Sequence, residues 1–382
     1  MRCVTPFEKK LEHVERILMH QTRNKSSILD TFLPAGCWWL ATGLLVLGGG
    51  RIEAEGIQAK LLEVRKIWDA APHNAFTDLE YYKGQWFCAF REGSGHAQKG
   101  DYGKVRILHS KEGEAWESAG LLESKGLDLR DAKLSITPGG ELLLNSVEYD
   151  VDREDAQRRN NQSVVFLSSN GMDWSPPRRV ADFGYWLWQT TWKGHQGLAL
   201  GYQWGAQDRT RLYRTTDGRE YELWVDHLRP PGDKSNEHAM VFTADERAIM
   251  LLRRDHAGEF ASEQSARALL GKAAPPYRDW EWQRLNVKVG GPSLCLLSSG
   301  HLLAAVRRYP QADGTRWQEQ WTELGWIDVE EAHYHPLLKL PSGGDSSYPG
   351  MVMHNGLLWM SYYSSHEGKT SIYLAKIALE LP

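Results

Sequence analysis

The chain repeats one short phrase six times: a tight turn, then an apolar strand with a polar end. It reads Gly84-Gln-Trp-Phe-Cys-Ala-Phe-Arg91, Gly140-Glu-Leu-Leu-Leu-Asn-Ser-Val147 and Gly194-His-Gln-Gly-Leu-Ala-Leu-Gly201. It returns as Glu246-Arg-Ala-Ile-Met-Leu-Leu-Arg253, Gly300-His-Leu-Leu-Ala-Ala-Val-Arg307 and Gly356-Leu-Leu-Trp-Met-Ser-Tyr-Tyr363. The turn residues lie 56, 54, 52, 54 and 56 residues apart, too regular for unrelated hairpins. A period of about fifty with several strands per repeat is the signature of a β-propeller, in which each repeat buries its faces against its neighbours. The prediction is an all-β fold, a six-bladed propeller of four-stranded blades over residues 55–382, preceded by an N-terminal extension over 1–54.

A second phrase sits between these hairpins. Ser110-Lys-Glu-Gly-Glu-Ala-Trp116, Ser168-Ser-Asn-Gly-Met-Asp-Trp174 and Thr215-Thr-Asp-Gly-Arg-Glu-Tyr221 share one spacing of hydroxyl, acid or amide, glycine and aromatic. Short polar side chains bond the local backbone in such a turn, glycine supplies a positive φ, and the aromatic pins the loop to the blade. The phrase resembles a slightly shortened Asp-box of the sialidase (neuraminidase) superfamily.

The 382 residues are 41% hydrophobic and 25% charged, with 17 tryptophans and a formal net charge of −4. That balance suits a large core and gives no electrostatic reason to expect nucleic acid as a partner. Cys3, Cys37, Cys88 and Cys295 form no CxxC pair and have no histidine at metal-ligand spacing. The expectation is therefore buried free thiols, no disulfide framework, no metal and no cofactor.

Ahead of the repeats, Glu8 to His20 places Leu11, Val14, Ile17 and Leu18 on one face of an amphipathic helix. Phe32 to Gly50 is an uncharged, mostly apolar run behind Arg23 and Lys25. Basic flank, apolar run and small residues make a secretory signal, with cleavage expected near Ile52-Glu53-Ala54. Left uncleaved, the same run is long enough to anchor the chain in a membrane. On these two readings the propeller is exported, to the periplasm or outside the cell, or tethered at a membrane surface; a buried element of the fold is the third reading of the run, and the sequence leaves the oligomeric state open. Within the propeller, the charged run Asp150 to Asn161 reads as a solvated loop. The stretch His256 to Arg284 carries a helical pattern over Ser262 to Leu270 and reads as an insertion folded over one face.

In each repeat the start of the strand before the turn and the end of the strand after it meet on one face. Those positions gather His73, Asn74, Arg91, Glu92, Arg130, Asp131, Glu148, Trp186, Trp188, Tyr202, Asn236, Glu237, Arg253, Arg254, Arg307, Arg308, Tyr348, Tyr362 and Tyr363. Charged side chains are rarely buried unpaired, so such a ring marks a mouth rather than a core. A set of purely structural ion pairs is the alternative.

The resemblance to sialidases is residue-specific over 65–382. It implies an acid/base in Asp101 of Lys-Gly-Asp101-Tyr-Gly-Lys-Val-Arg, a carboxylate in Glu237 of Ser-Asn-Glu237-His-Ala-Met, and a nucleophile in Tyr348 of Asp-Ser-Ser-Tyr348-Pro-Gly. It also implies substrate-binding arginines at Arg253 and Arg307, with Arg308 and Arg316 as other candidates for the third. The family's Tyr-Arg-Ile-Pro phrase falls on His73-Asn74-Ala75-Phe76, so Asn74 stands where its first arginine belongs, and Arg91 or Arg130 is the substitute expected from next door. The activity implied is that of a retaining exo-glycosidase on a glycan, cleaving sialic acid or a related terminal sugar. A carbohydrate-binding or scaffold propeller without turnover is the competing class.

Overall fold

A computed structural model describes residues 56–152, 160–203, 209–230, 233–255, 266–310 and 319–382. The expected helix over 8–20, the apolar run 32–50 and Arg316 lie outside them. The regular elements among the described residues are strands, and these form six sheets. Blade 1 spans 73–122, blade 2 spans 128–179, blade 3 spans 186–225, blade 4 spans 235–284 and blade 5 spans 290–339. Blade 6 takes its three inner strands from 346–380 and its outermost, Gln58–Trp68, from the start of the propeller. No helix among the described residues is long and apolar enough to cross a membrane.

The six repeated turns are the hairpins joining the first two strands of each blade. Every turn residue has a positive φ, from 55° at Gly194 to 88° at Gly300, and Glu246 adopts 66° where the others use glycine. The following strands are apolar because both faces of a blade are covered: Trp86–Phe90 and Leu142–Leu144 are wholly buried. Blade 3 departs from the plan. Its innermost strand is broken into Trp186–Leu187 and Thr191–Lys193, both paired with Gln196–Tyr202.

The two repeated phrases meet in space. In the second phrase Ser110 Oγ accepts from the Gly113 N–H at 2.9 Å, and the Trp116 indole donates to the Gly113 carbonyl at 3.2 Å. Ser168, Gly171 and Trp174 repeat this at 2.8 and 3.1 Å. At the third turn Thr215 Oγ1 accepts from Gly218 at 2.9 Å. The bare face of each of these glycines lies against a side chain three residues after the turn of the preceding blade: Gly113 on Trp359, Gly171 on Phe87, Gly218 on Leu143. These turns therefore staple adjacent blades together. Blade 4 makes the same kind of turn without glycine: Tyr277 has φ 65° and its carbonyl accepts from the Trp280 indole at 3.1 Å.

The expected insertion over 256–284 is instead part of blade 4. Residues 256–265 lie outside the described set, but Leu269–Ala273, expected to open within a helix, is a strand paired with 248–252. Glu281–Arg284 is the outer strand, and Trp280 stacks on Trp282 at 5.6 Å beside it. The helical spacing of this stretch is overridden because its apolar residues face both covered sides of a blade. Cys88 and Cys295 are free.

A methyl group added at Gly171 would sit 2.2 Å from the Phe87 ring, on a backbone with φ 78°. The left-handed backbone costs about 1–2 kcal/mol for an L side chain, and overpacking adds about 1–3 kcal/mol. Gly171→Ala is expected to lower stability by roughly 2–5 kcal/mol in urea unfolding. A change within 0.5 kcal/mol on the same scale would remove the stapling role.

Candidate active site

Five of the six innermost strands carry the same irregularity. Register slips between Ala75 and Asp78, Arg130 and Lys133, Ser235 and His238, Gly290 and Ser293, and Ser347 and Gly350. A β-bulge sets two residues against one and re-aims a side chain, a device favoured beside functional sites. The bulged pairs contain Phe76, Asp131, Glu237, Gly291 and Tyr348, and these converge at one mouth of the propeller. Phe76, Asp131 and Tyr348 hold φ of 63°, 51° and 49°. Such conformations are costly for non-glycine residues and persist only where the surroundings impose them.

At the centre, the Tyr348 hydroxyl donates to Glu237 Oε1 at 2.5 Å. Arg253 Nη1 donates to that same oxygen at 2.7 Å and to the phenol oxygen at 3.1 Å. The Gly291 N–H fixes the other carboxylate oxygen at 2.8 Å. Glycine is required at this position because its φ is 51° and a Cβ there would lie 2.7 Å from the Tyr348 ring. The ring is enclosed by Phe76 at 5.2 Å, Trp188 at 5.9 Å and Tyr363 at 6.0 Å, with the Arg307 guanidinium 4.9 Å above it. Burial, reinforced by the Glu237 charge, raises the phenol well above its usual range, against the opposing pull of Arg253 and Arg307. Such a phenol gives up its proton only to a base already in contact, and Glu237 is in contact.

The two arginines are positioned by protein groups. Arg253 also donates from Nε and Nη2 to Asp255, at 3.1 and 3.0 Å. Arg307 donates to the Ser346 carbonyl at 2.8 Å and to the Tyr363 hydroxyl at 2.7 Å.

The remaining sequence candidates divide sharply. Asn74 does not reach the mouth. It is wholly buried, and its amide bonds the backbone of Ala71 and Thr370 at 2.8 and 2.9 Å. Arg91 is equally buried and no substrate ligand: it donates to Asp128 at 2.6 Å, the Gly95 carbonyl at 2.8 Å and Asp101 at 3.0 Å. Asp101 is thereby occupied as well, since the Ser94 and Gly95 amides bond it at 2.9 and 3.1 Å. Although burial opposes them, Ser94 and Arg91 hold its carboxyl below the usual carboxylate range. A carboxylate tied in this way anchors the loop 93–103 and is a poor proton donor at neutral pH.

Asp131 has the opposite character. Burial pushes its carboxyl up to about 6, with Arg130 opposing and Glu237 adding to the rise. Its charge also acts on Tyr348, and it is 8% exposed at the mouth. Beside it, the Arg130 guanidinium lies 5.3 Å over the Phe76 ring.

The structure also joins His73, a sequence candidate, to two residues that sequence reasoning missed, His96 and Asp345. His73 Nε2 and His96 Nδ1 lie 2.9 and 2.8 Å from the same oxygen, Oδ2 of Asp345. His73 is distant from Asp345 by 272 residues, and His96 belongs to a loop outside both repeated phrases. Only the closed ring brings them together.

Away from the mouth, a groove of about 780 Å³ opens between the outer parts of blades 2 and 3. Its charges are paired, Arg179 with Glu148 and Arg219 with Glu141, and neither Tyr348 nor Glu237 lines it. It offers no reacting group.

Comparison with solved structures identifies the fold. A protein of unknown function from Dyadobacter fermentans superposes with a TM-score of 0.68 at 16% identity, covering 84% of this chain and 99% of that one. Trypanosoma rangeli sialidase gives 0.62 at 11% identity, covering 80% of this chain and 55% of the sialidase. Penicillium chrysogenum α-L-arabinanase, solved with arabinobiose, gives 0.62 at 13% identity, covering 82% and 98%. The chain thus has a divergent sialidase-like six-bladed propeller fold, and it spans about half the length of the Trypanosoma sialidase. No family model and no curated protein matches its sequence.

The two aspartates make opposite predictions for stability. Asp131 binds its proton more tightly folded than unfolded, so its burial destabilises the fold increasingly as pH rises from about 4 through about 6. Asp131→Asn should therefore gain about 2–3 kcal/mol at pH 7, a gain that vanishes near pH 4. Asp101 is held ionised, so its contribution is present at neutral pH and lost as pH falls. Asp101→Asn should destabilise at pH 7. Urea unfolding of both variants across pH checks this, and like signs at pH 7 would contradict the assignment.

Proposed function

We propose that this protein is a retaining exo-glycosidase that removes a terminal sugar, sialic acid or a related sugar, from a glycan. The observation that carries the reading is the contact of Tyr348 with Glu237 under Arg253. The sialidase-like fold, with sialic acid bound in a structure of the Trypanosoma rangeli sialidase and arabinobiose in that of the arabinanase, supports a sugar as the substrate class. Tyr348 acts as the nucleophile: its oxygen attacks the anomeric carbon while its proton passes to Glu237. The Arg253 guanidinium stabilises the oxygen as its proton leaves. A neutral phenol avoids repelling an anionic sugar, and tyrosine nucleophiles are a recognised exception to the two-carboxylate scheme.

The acid role passes from Asp101 to Asp131. A carboxyl raised by burial is the form that protonates a leaving oxygen near neutral pH and then takes a proton from water in the second step. Two displacements at one carbon give net retention. Arg307 and Arg130, with His73, edge the sugar subsite. Export, or attachment at a membrane through residues 32–50, would place the enzyme where glycans are displayed.

Turnover of a panel of fluorogenic glycosides, sialosides included, tests this reading. On the sugar that is cleaved, Tyr348→Phe and Glu237→Gln should each lower kcat by at least a thousandfold with the fold intact. Asp131→Asn should slow substrates with poor leaving groups more than good ones and flatten the limb of the kcat/KM profile that falls above about pH 6. Binding of a glycan with no turnover, or full turnover in Tyr348→Phe, would replace the enzyme by a carbohydrate-binding propeller or a different catalytic pair.

A further inference from the structure

We infer that His73, His96 and Asp345 form a binding site for a divalent first-row metal ion, Zn²⁺ in particular, at the edge of the mouth. One imidazole nitrogen from each histidine and Oδ2 of Asp345 lie within 4.8 Å of one another. Two nitrogens and one carboxylate oxygen are a ligand set suited to zinc and its first-row neighbours. Ligands about 2.1 Å from a common ion stand roughly 3.0 Å apart around an octahedral centre and about 3.4 Å apart around a tetrahedral one. The two nitrogen–oxygen separations, 2.9 and 2.8 Å, are those of imidazole–carboxylate hydrogen bonds, and a shift of a few tenths of an ångström would open them to either spacing as an ion replaces the shared proton.

The groups behind the ligands are arranged as a metal site needs. Oδ1 of Asp345 accepts from the Tyr363 hydroxyl at 2.8 Å and has Arg307 at 3.8 Å, so the carboxylate is oriented with Oδ2 toward the imidazoles. The Asp345 amide donates to Ser365 Oγ at 3.0 Å and fixes the backbone. Hydrogen bonds to the far side of a ligating carboxylate hold it in place and tune the ion. The His73 side chain is 8% exposed and Asp345 16%, whereas His96 is 51% exposed. The site is therefore rigid on its protein side and open toward solvent.

His96 packs on Phe76 at 5.0 Å, and Phe76 on Tyr348 at 5.2 Å. A bound ion would set a fixed positive charge one aromatic ring away from the phenol. That is the side of the mouth from which Asn74, buried in the blade, supplies none.

Isothermal titration of tag-free protein with Zn²⁺, repeated with Co²⁺ followed by its visible absorption, tests the site without reference to turnover. The glycosidase reading therefore stands or falls separately. One equivalent should bind, with affinity lowered at least tenfold by His96→Ala and by Asp345→Asn and unchanged by His195→Ala, a substitution at an exposed turn. Because His96 is half exposed, its replacement leaves the fold in place and keeps the result interpretable. Absence of Zn²⁺ binding, or binding indifferent to both His96→Ala and Asp345→Asn, overturns the inference.

Discussion

The pairing of Gln58–Trp68 with Ser371–Glu380 closes the ring, and every distance across the mouth depends on it. Apart from contacts around the central axis, such as that of Tyr348 in blade 6 with Glu237 in blade 4, the blades pack on their neighbours, so an open ring would let each interface relax independently. Closure removes that freedom and also covers the edge strand that blade 6 would otherwise expose. The contact of Tyr348 with Glu237 joins residues 111 apart, and that of His73 with Asp345 joins residues 272 apart. Neither pair has any local reason to meet. Trp86 stacks on Trp359 at 4.5 Å across the join between blades 1 and 6, in the seam that the first strand completes.

Within the closed ring, the mouth separates charge by environment. Asp101 and Asp128 meet the buried Arg91 and form a structural clasp for the loop 93–103. That loop is tied to blade 2 by Asp152, which accepts from the Gly100 amide at 3.0 Å and from the Tyr102 hydroxyl. Asp131, at the same end, faces no such clasp and carries the cost of burial instead. Two aspartates thirty residues apart thereby acquire opposite protonation behaviour, the usual way one fold separates an acid from an anion. Arg253 holds Glu237 close to the phenol, and removing one partner of such a buried pair typically costs about 3–5 kcal/mol. Tyr348 and Glu237 are thus held by ion pairs at the mouth and by bulges in the strands beneath.

The blade count was legible because each hairpin needs a positive φ just before an apolar strand, and five of the six turns use glycine for it. Tyr348 and Glu237 were legible as mouth residues because they stand on strands whose repeat register is visible, and the resemblance to sialidases is what paired them. Asn74 and Arg91 were misplaced because their side chains are drawn inward by buried partners that no local pattern reveals: the backbone of Ala71 and Thr370 for Asn74, Asp128 and Asp101 for Arg91. The bulge that carries Phe76 leaves no mark in composition either. The turn at Tyr277 was hidden because tyrosine occupies a conformation that the pattern assigns to glycine. His96 was hidden because it lies in a connecting loop, and only its contact with Asp345 reveals it. The strand Leu269–Ala273 was hidden because a stretch buried on both faces loses its two-residue alternation.

The central claim is that the Tyr348 oxygen forms a bond to the sugar. Incubation with a fluorinated glycoside whose second step is slow, followed by proteolysis and mass spectrometry, tests it most directly. The account predicts one sugar attached to the peptide bearing Tyr348, formed at neutral pH and absent from Glu237→Gln. A sugar found on another residue, or turnover of the parent glycoside with inversion and no covalent adduct, would contradict it.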